Sequence, residues 1–339
     1  MVSGDPRPQP VGAINKLDVV TRPQAVGASD GEDPYLDKGL LDRFVDEVER
    51  LEKYVEGLNR QMLSGPTVLD GVWKDVNDDQ DRETRQFSIS VARCYPTKNR
   101  YPDVMPYDHN RVMLKTSKDD FINSSYIRDL SPSTPTFIAT QAPIPTTMET
   151  FWQMIYEQQV FLLVMLVSSK SKGTSEFHQY WPSERGQSQR HGAFSVTLRS
   201  SKNTEFHIER FLQLRHVPTK QVRTVLHMQF TAWPEFGIPE KASDLLQFVS
   251  QVQNYHLQQK QLTLPIVVHC SGGIGRTGTF CTVYSAVQDI NSGRGITDIP
   301  KVVKNLRTQR KWMVSEKEQL KFCYEAVLCY AHQVLAKRK

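Results

Sequence analysis

The stretch VHCSGGIGRTGT, residues 268–279, decides what kind of fold this chain adopts. The apolar run from Leu264 to Val268 leads into it and predicts a buried strand, and an apolar helical pattern follows it. Gly272, Gly273 and Gly275 permit a tight curl in which successive backbone N–H groups point inward and form an anion nest. The helix that follows adds the partial positive charge of its N-terminus at the same place. We therefore predict that the turn between strand and helix binds a phosphate group.

Cys270 opens this turn and would share its positive field, which favours the thiolate. A thiolate beside a bound phosphate monoester is a nucleophile poised to attack phosphorus. Arg276 carries a planar guanidinium that can bind two phosphate oxygens and stabilise the charge that develops during transfer. The hydroxyl of Thr277 could donate a hydrogen bond to the sulfur and stabilise it as a leaving group in a second step.

The same turn also has interpretations that give Cys270 no catalytic role. A cysteine and an arginine can lie six positions apart by chance, and most intracellular cysteines simply pack in the core. The three glycines could form an ordinary strand–helix connection or a nucleotide-binding loop. However, no Lys-Ser/Thr pair follows them as in a P-loop, and their spacing does not match G-x-G-x-x-G. The complete string, between a strand and a helix, therefore favours a phosphate-binding cysteine loop.

Composition narrows the class of protein. The net charge of +5 over 339 residues is mild and scattered, which argues against a dedicated nucleic-acid surface. The five cysteines are odd in number and lack metal-ligand spacing, as is typical of reduced thiols in the cytosol. The N-terminus shows no signal peptide. The longest apolar run, FLLVMLV at 161–167, is too short to span a bilayer, so we expect a soluble chain without a membrane segment.

Strand and helix patterns alternate along the chain and predict a mixed sheet with helices on both sides. Residues 1–34 are rich in Gly, Pro, Asp and Ser and are predicted to be a disordered leader or linker. A single domain is predicted over 35–339, with a helical lead-in over 35–85 that includes an amphipathic helix at 36–63. Strands are predicted at 136–140, 161–167, 194–199, 207–214, 225–230 and 265–270. Further helices are predicted around 69–76 and at 148–157, 242–255, 276–291, 299–309 and 315–335.

Six motifs together resemble those of the protein tyrosine phosphatases. They are, in chain order, KNRYPDVMPYDHNRV (98–112), DDFINSSYI (119–127), TQAP (140–143), QYWP (179–182), TAWPEFGIP (231–239) and HCSGGIGRTG (269–278). The resemblance covers about residues 90–335 and implies the α/β (α+β) fold of that family, with a highly twisted mixed sheet. It also implies a phosphotyrosine-containing protein as substrate and a monomer that needs neither metal nor cofactor. The expected location is cytoplasmic and associated with endosomes.

The resemblance also implies a role for individual residues. Cys270 is the nucleophile, Arg276 binds the phosphate, and Glu235 in the mobile loop 233–235 is the general acid. Tyr101 would stack on the substrate ring and set the depth of the pocket, and Asp103 would bind the substrate backbone. The remaining predicted substrate-binding residues are Ser271, Gly272, Gly273, Ile274, Gly275 and Gln319. His269 is expected to be structural, hydrogen-bonded beneath the loop.

Five positions depart from the family's pattern. Glu235 stands where the family has an aspartate, so its longer side chain is expected to misplace the acid and slow the first step. Ser315 replaces a glutamine that positions the hydrolytic water, and Gly272 replaces a common alanine. Ser171 and Glu176 replace a glutamate that braces the arginine and a lysine that meets the acid.

These departures leave open what the chain does. It is expected to be a working but slow tyrosine phosphatase, because Cys270, Arg276 and Tyr101 are all retained. The alternative is an impaired phosphatase that acts as a phosphotyrosine-binding or scaffolding module. A third interpretation makes the domain a platform for the helix at 36–63, which an exposed apolar face on that helix would favour. A lipid phosphate is also a conceivable substrate, although the KNRY segment favours a deep, aromatic-walled pocket.

Overall fold

The predicted strand before the turn lies within a nine-stranded sheet. The computed structural model of the chain describes residues 33–61, 65–115, 119–168 and 177–338. Its strands are β1 (Arg111–Met113), β2 (Phe121–Ile127), β3 (Phe137–Thr140), β4 (Leu162–Met165), β5 (Ser188–His191), β6 (Phe194–Asn203), β7 (His207–His216), β8 (Val222–Phe230) and β9 (Ile266–His269). Its helices are α1 (Lys38–Gly57), α2 (Val68–Glu83), α3 (Ser90–Arg93), α4 (Met148–Glu157), α5 (Ala242–Leu257), α6 (Gly275–Asn291), α7 (Ile299–Gln309) and α8 (Lys317–Ala336). The predicted α/β class with a mixed sheet is confirmed.

The order of the strands places the turn at the carboxyl-terminal end of the sheet's parallel part. The order is β1-β2-β3-β9-β4-β8-β7-β6-β5. Strand β9 runs parallel to both of its neighbours, β3 and β4, and β4 runs parallel to β8. All four residues of β9 are buried, as expected for a continuous apolar run inside a parallel sheet. Because β9 ends at His269, Cys270 emerges among the carboxyl ends of the parallel strands.

The sequence patterns missed strands β1, β2 and β5. Strand β2 reads FINSSYI, and its central Asn123, Ser124 and Ser125 are buried although they are polar. The cost of burial is offset by hydrogen bonds, such as the 2.6 Å bond from Ser124 Oγ to Thr140 Oγ1 on β3. A buried polar strand carries no hydrophobic signal, so periodicity alone could not locate it.

The lead-in helix α1 packs against the rest of the domain. Asp37 caps its N-terminus by accepting a 2.8 Å hydrogen bond from Leu40 N, and Phe44, Val48 and Leu51 are buried on one face in contact with the core. Just before α1, Tyr35 donates a 2.8 Å hydrogen bond to the carbonyl of Ile290 in α6. These apolar residues of α1 are thus covered by this domain itself, which argues against the helix being offered to a partner.

Asp33 forms an ion pair with Arg338, whose guanidinium also lies over the ring of Tyr35. The contact joins the two ends of the described domain. Within the described ranges, no helix is long and apolar enough to cross a bilayer. The predicted leader falls, up to residue 32, outside the described residues, and the boundary at 34/35 stays a prediction.

Candidate active site

The turn after β9 forms a loop in which close contacts require glycine at positions 273 and 275. Gly273 has φ +70°, and a Cβ there would lie 2.1 Å from the carbonyl oxygen of Thr140 at the end of β3. A Cβ on Gly275 would lie 2.4 Å from Ser315 Oγ. Cys270 is 5% exposed at the start of this loop, and helix α6 begins at Gly275. Cys270, the predicted nucleophile, therefore lies at the start of the glycine loop, which leads directly into the N-terminus of α6.

Arg310 sets the direction of the peptide groups in this loop. Its Nε donates to Gly273 O at 2.9 Å, and its Nη2 donates to Gly272 O at 3.0 Å. Because each peptide unit is planar and trans, the N–H groups of Gly273 and Ile274 point away from Arg310. The other side of the guanidinium is fixed by Asn123 Oδ1 at 2.7 Å and Ser125 Oγ at 3.1 Å, both on β2. The loop is thus preorganised to present N–H groups to an anion.

Arg310 is a residue of the loop's surroundings that the sequence motifs do not include. It lies 37 residues beyond Gly273 in a segment with no motif of its own, so only the folded structure brings it to the loop. Burial lowers its pKa to about 10, which leaves the guanidinium charged at neutral pH.

Arg276 joins the loop to the segment that carries Glu235. Its Nη2 donates to the backbone carbonyl of Glu235 at 2.5 Å, and its Nη1 donates to Leu166 O at 3.3 Å. Its exposure is 8%, so most of the guanidinium is shielded from water. The structure therefore brings the predicted phosphate-binding arginine and the predicted acid's segment together.

Trp233 anchors that segment. Its side chain is fully buried, and its Nε1 donates to Gly237 O at 3.1 Å. Gly237 has φ +86°, a left-handed conformation that favours glycine. Phe236, between them, is 84% exposed. A cleft of about 480 Å³ lies beside the segment and is lined by Ser168, Thr231, Ala232, Trp233, Pro234, Glu235, Ile238 and Glu240.

Tyr101 stands at the mouth of the loop. Its hydroxyl lies 2.7 Å from Ser271 Oγ, and its ring is the nearest group, at 3.4 Å, to where a Cβ on Gly272 would be. The Tyr101 side chain is 41% exposed, so a wall of the site faces solvent. Asp103 is also exposed, in the turn closed by the 3.2 Å bond from Val104 N to Tyr101 O.

Gln319 and Ser315 lie against Gly275, where α6 begins. Ser315 N donates to Gln319 Oε1 at 3.0 Å. Both side chains are within 3.0 Å of the position that a Cβ on Gly275 would take. The two residues at which a hydrolytic water is expected are therefore adjacent to the loop.

Thr277 is fully buried, and its Oγ1 has no hydrogen-bond partner among the described residues. The expected bond from Thr277 to the Cys270 sulfur is thus absent in this conformation. Ser171 and Glu176, the weakest of the sequence departures, lie outside the described residues.

His269 is buried beneath the loop, with Nδ1 3.0 Å from the carbonyl oxygen of Cys270. Burial lowers its pKa to about 4, so the imidazole is neutral at physiological pH. Among the described residues, no group of three or more His, Cys, Asp or Glu side chains is arranged to hold a metal ion.

Comparison with known proteins agrees with the motifs. A sequence profile described as "Protein-tyrosine phosphatase" matches residues 95–329. The chain is 44% identical to tyrosine-protein phosphatase non-receptor type 23 of Homo sapiens over 329 aligned residues. The aligned region covers 96% of the chain and 20% of the relative. The Mus musculus protein of that name is 43% identical, with 96% and 19% covered. Tyrosine-protein phosphatase non-receptor type 4 of Mus musculus is 37% identical over 235 residues, which is 68% of the chain and 25% of the relative. The chain thus spans about a fifth to a quarter of the length of these relatives.

Proposed function

The chain belongs to the protein-tyrosine phosphatase family, and we propose that it hydrolyses phosphotyrosine in proteins, slowly, through a cysteinyl-phosphate intermediate. One observation carries the proposal. Cys270 lies at the mouth of a loop whose carbonyls are turned outward by Arg310, so that the N–H groups of Gly273 and Ile274 are free to bind phosphate oxygens. A preorganised donor set of this kind stabilises the charge that develops during phosphoryl transfer.

In the proposed first step, the phosphate of the substrate occupies the nest formed by residues 271–276. The Cys270 thiolate attacks phosphorus in line, and the bond from phosphorus to the tyrosyl oxygen breaks. Glu235 donates its proton to that oxygen, so a neutral tyrosine leaves. Arg276 and the loop N–H groups hold the phosphoryl oxygens, and Tyr101, in contact with Ser271, lines the entrance.

In the proposed second step, water attacks the cysteinyl phosphate and the bond from sulfur to phosphorus breaks. Glu235, now a carboxylate, accepts the proton of the water, and Gln319 helps to orient it. The Cys270 thiolate is regenerated and inorganic phosphate leaves. The Thr277 hydroxyl is proposed to stabilise the departing sulfur, a role supported by its buried position with no other partner among the described residues.

Two substitutions support a low rate. Glu235 carries one methylene more than aspartate, and general acid–base catalysis contributes about 10²–10⁴-fold, part of which a misplaced carboxyl would lose. Ser315 is shorter than a glutamine, and its backbone N–H occupies the Oε1 of Gln319. Both effects slow turnover without weakening phosphate binding.

The same substitutions favour a second candidate, a phosphotyrosine-binding module that has lost most of its chemistry. It would bind phosphate in the same loop, so the two candidates share Arg276 and Tyr101. They differ in whether Cys270 attacks the bound phosphate and the substrate is hydrolysed.

Hydrolysis of a phosphotyrosine peptide by the purified chain separates the candidates. The wild type is compared with Cys270→Ser, Glu235→Asp and Arg276→Ala, and peptide binding is measured in parallel by calorimetry. We expect slow turnover that disappears in Cys270→Ser. In Glu235→Asp the rate should rise by about tenfold, because the shorter side chain places the carboxyl where the family's aspartate would lie. Absence of turnover in the wild type and in Glu235→Asp, with binding that Arg276→Ala abolishes, would establish the binding module.

A lipid substrate is tested in the same assay with phosphoinositides in place of the peptide, and we expect the peptide to be preferred. We also propose that the chain is monomeric and cytoplasmic, with association with endosomes. Light scattering on the purified chain and imaging of a tagged chain in cells test these points.

A further inference from the structure

A chain of hydrogen bonds runs through the core from Arg210 on β7 to the backbone of Cys270. Arg210 Nη1 lies 3.2 Å from His227 Nδ1, and the Tyr180 hydroxyl lies 3.0 Å from His227 Nε2. The same hydroxyl lies 2.6 Å from His269 Nε2, and His269 Nδ1 lies 3.0 Å from Cys270 O. Tyr180, His227 and His269 are fully buried. The chain thus joins a charged side chain to the proposed nucleophile without any contact with bulk water at its three middle members.

Only one arrangement of protons satisfies this chain. The Cys270 carbonyl can only accept, so His269 Nδ1 carries the proton and His269 Nε2 must accept from the Tyr180 hydroxyl. At the other end, the Arg210 guanidinium can only donate, so His227 Nδ1 is bare and His227 Nε2 carries the proton. Both imidazoles are neutral, because burial lowers the pKa of His269 to about 4 and holds that of His227 well below its usual range. Every bond therefore points from Arg210 toward Cys270.

Arg210 decides where the single proton of Tyr180 goes. Two imidazole nitrogens, on His227 and His269, contact the hydroxyl, and either could accept its proton if its tautomer allowed. Because Arg210 donates to His227 Nδ1, His227 must present an N–H to Tyr180 and cannot compete for the proton. The Tyr180 hydroxyl then donates its hydrogen bond only to His269. Because each hydrogen bond in the chain polarises the next, the bond from His269 to Cys270 O becomes stronger.

We propose that Arg210 is a positioning residue for Cys270: by fixing the tautomer of His227 it directs the Tyr180 hydroxyl to His269, strengthens the hydrogen bond from His269 to the Cys270 carbonyl, and favours the thiolate. The inference rests on the proposed function only in taking Cys270 as the nucleophile.

The surroundings of Arg210 leave it charged and directed at this chain. Its guanidinium lies over the ring of Trp181 at 4.8 Å, and Nη1 also donates to Gln229 Oε1 at 2.9 Å. Burial lowers its pKa to about 10, so it keeps its proton at neutral pH. The neighbouring Glu209 contacts His207 and Tyr255 instead.

Arg100 is another charge that acts on His269, and it is held by the carbonyls of Ala142 and Pro143. It is unchanged in all the variants below, so its effect cancels in the comparison.

The test measures the pH dependence of Cys270 alkylation by iodoacetamide, followed at that residue by peptide mass spectrometry. Alkylation reports the thiolate directly and needs no turnover, so it remains informative if the chain proves not to be a phosphatase. The variants are Arg210→Met and Arg210→Lys, each with and without Tyr180→Phe, which removes the proton that the chain transmits. Arg223→Met is the matched control, because Arg223 also stacks on an aromatic ring, that of Tyr156 at 4.6 Å, outside the chain.

We expect Arg210→Met to raise the pH of half-maximal alkylation by about 0.5–1 unit and to slow alkylation at pH 6 by roughly three- to tenfold. Arg210→Lys should restore most of the reactivity, and Arg223→Met should leave it unchanged. In the Tyr180→Phe background, Arg210→Met should cause no further shift. The ¹⁵N shifts of the His227 ring should show a changed tautomer in Arg210→Met.

An unchanged alkylation profile in Arg210→Met would overturn the proposal. So would an equal shift with and without Tyr180→Phe, because the effect would then not pass through the hydroxyl. Thermal unfolding of each variant identifies loss of folding, and Arg210→Leu, which likewise lacks a donor, replaces Arg210→Met if that variant does not fold.

Discussion

At the scale of single residues, two adjacent glycines of the phosphate-binding loop have different reasons to be glycine. Gly273 has a left-handed backbone and a Cβ position that collides with Thr140 O at 2.1 Å. Gly272 has neither constraint, since its Cβ would make an ordinary contact of 3.4 Å with the Tyr101 ring. The fold therefore requires a glycine at 273 and merely tolerates one at 272.

Replacing Gly272 with alanine should stabilise the protein. The substitution restricts the unfolded chain and adds a contact to Tyr101, so we expect about 0.4–1 kcal/mol in the free energy of unfolding. Urea denaturation measures it, and phosphate binding should be retained. Gly273→Ala is the matched control, expected to destabilise the protein and abolish phosphate binding. Destabilisation by Gly272→Ala would show that the loop needs its flexibility.

Single residues of the site also differ in whether a local pattern marks them. Cys270, Arg276 and Tyr101 could be located because each belongs to a contiguous motif. Arg310 and Arg210 could not, because Arg310 lies 37 residues from the loop carbonyl that it contacts and Arg210 is linked to Cys270 only through a chain of hydrogen bonds. Their contributions depend on tertiary contacts that no local pattern encodes.

At the scale of elements, helix α2 supports the segment that carries Ser315. Gln80, buried in α2, accepts a 2.9 Å hydrogen bond from Trp312 N. Trp312 and Val314 have φ values of +61° and +58°, a conformation that costs non-glycine residues about 1–3 kcal/mol each. Arg307 holds the same segment by donating to Val314 O at 2.8 Å. The strained backbone beside the loop is thus held in place by the lead-in and by α7.

Replacing Gln80 with methionine should therefore affect stability and turnover together. The N–H of Trp312 would lose its partner, which we expect to cost about 1–3 kcal/mol by urea denaturation. Displacement of Ser315 and Gln319 should also slow dephosphorylation of the enzyme relative to its phosphorylation, as rapid-quench kinetics would show. The same substitution at Gln247, an exposed position on α5, should change neither quantity. Equal effects at the two positions would contradict this role of Gln80.

Some elements could be predicted to the residue because their signals are local. Helix α7 begins after Asp298, which accepts a 3.1 Å hydrogen bond from Lys301 N, and it carries Pro300 in its first turn. Strands β1 and β5 are short and partly exposed at the edges of the sheet. Such strands need no alternating pattern, so sequence patterns did not indicate them.

At the scale of the whole molecule, buried histidines make stability depend on pH. Burial lowers the pKa of His191, His227, His256 and His269, in the last case to about 4. The unfolded chain binds protons at these groups below pH about 6.5, whereas the folded chain does not. Their contribution to stability is therefore full above that pH and is lost as the pH falls toward the folded pKa values.

We expect the free energy of unfolding to fall between pH 7 and pH 5, by up to about 1.4 kcal/mol per pH unit for each such histidine. Urea denaturation at the two pH values measures the slope. His256→Gln should reduce it, and His332→Gln, at an exposed site, should not. A slope that His256→Gln leaves intact would show that His256 does not take part.

The contact of Asp33 with Arg338 has a consequence for how the domain can be joined to other protein. Both ends of the described fold leave the surface at one point, so the domain could be spliced into a surface loop of a host protein without separating the two halves of that loop. For the same reason, a short peptide could join the two ends and new termini could be opened elsewhere. In a longer polypeptide, segments joined to the two ends would start close together, so the domain would add little to the distance between them.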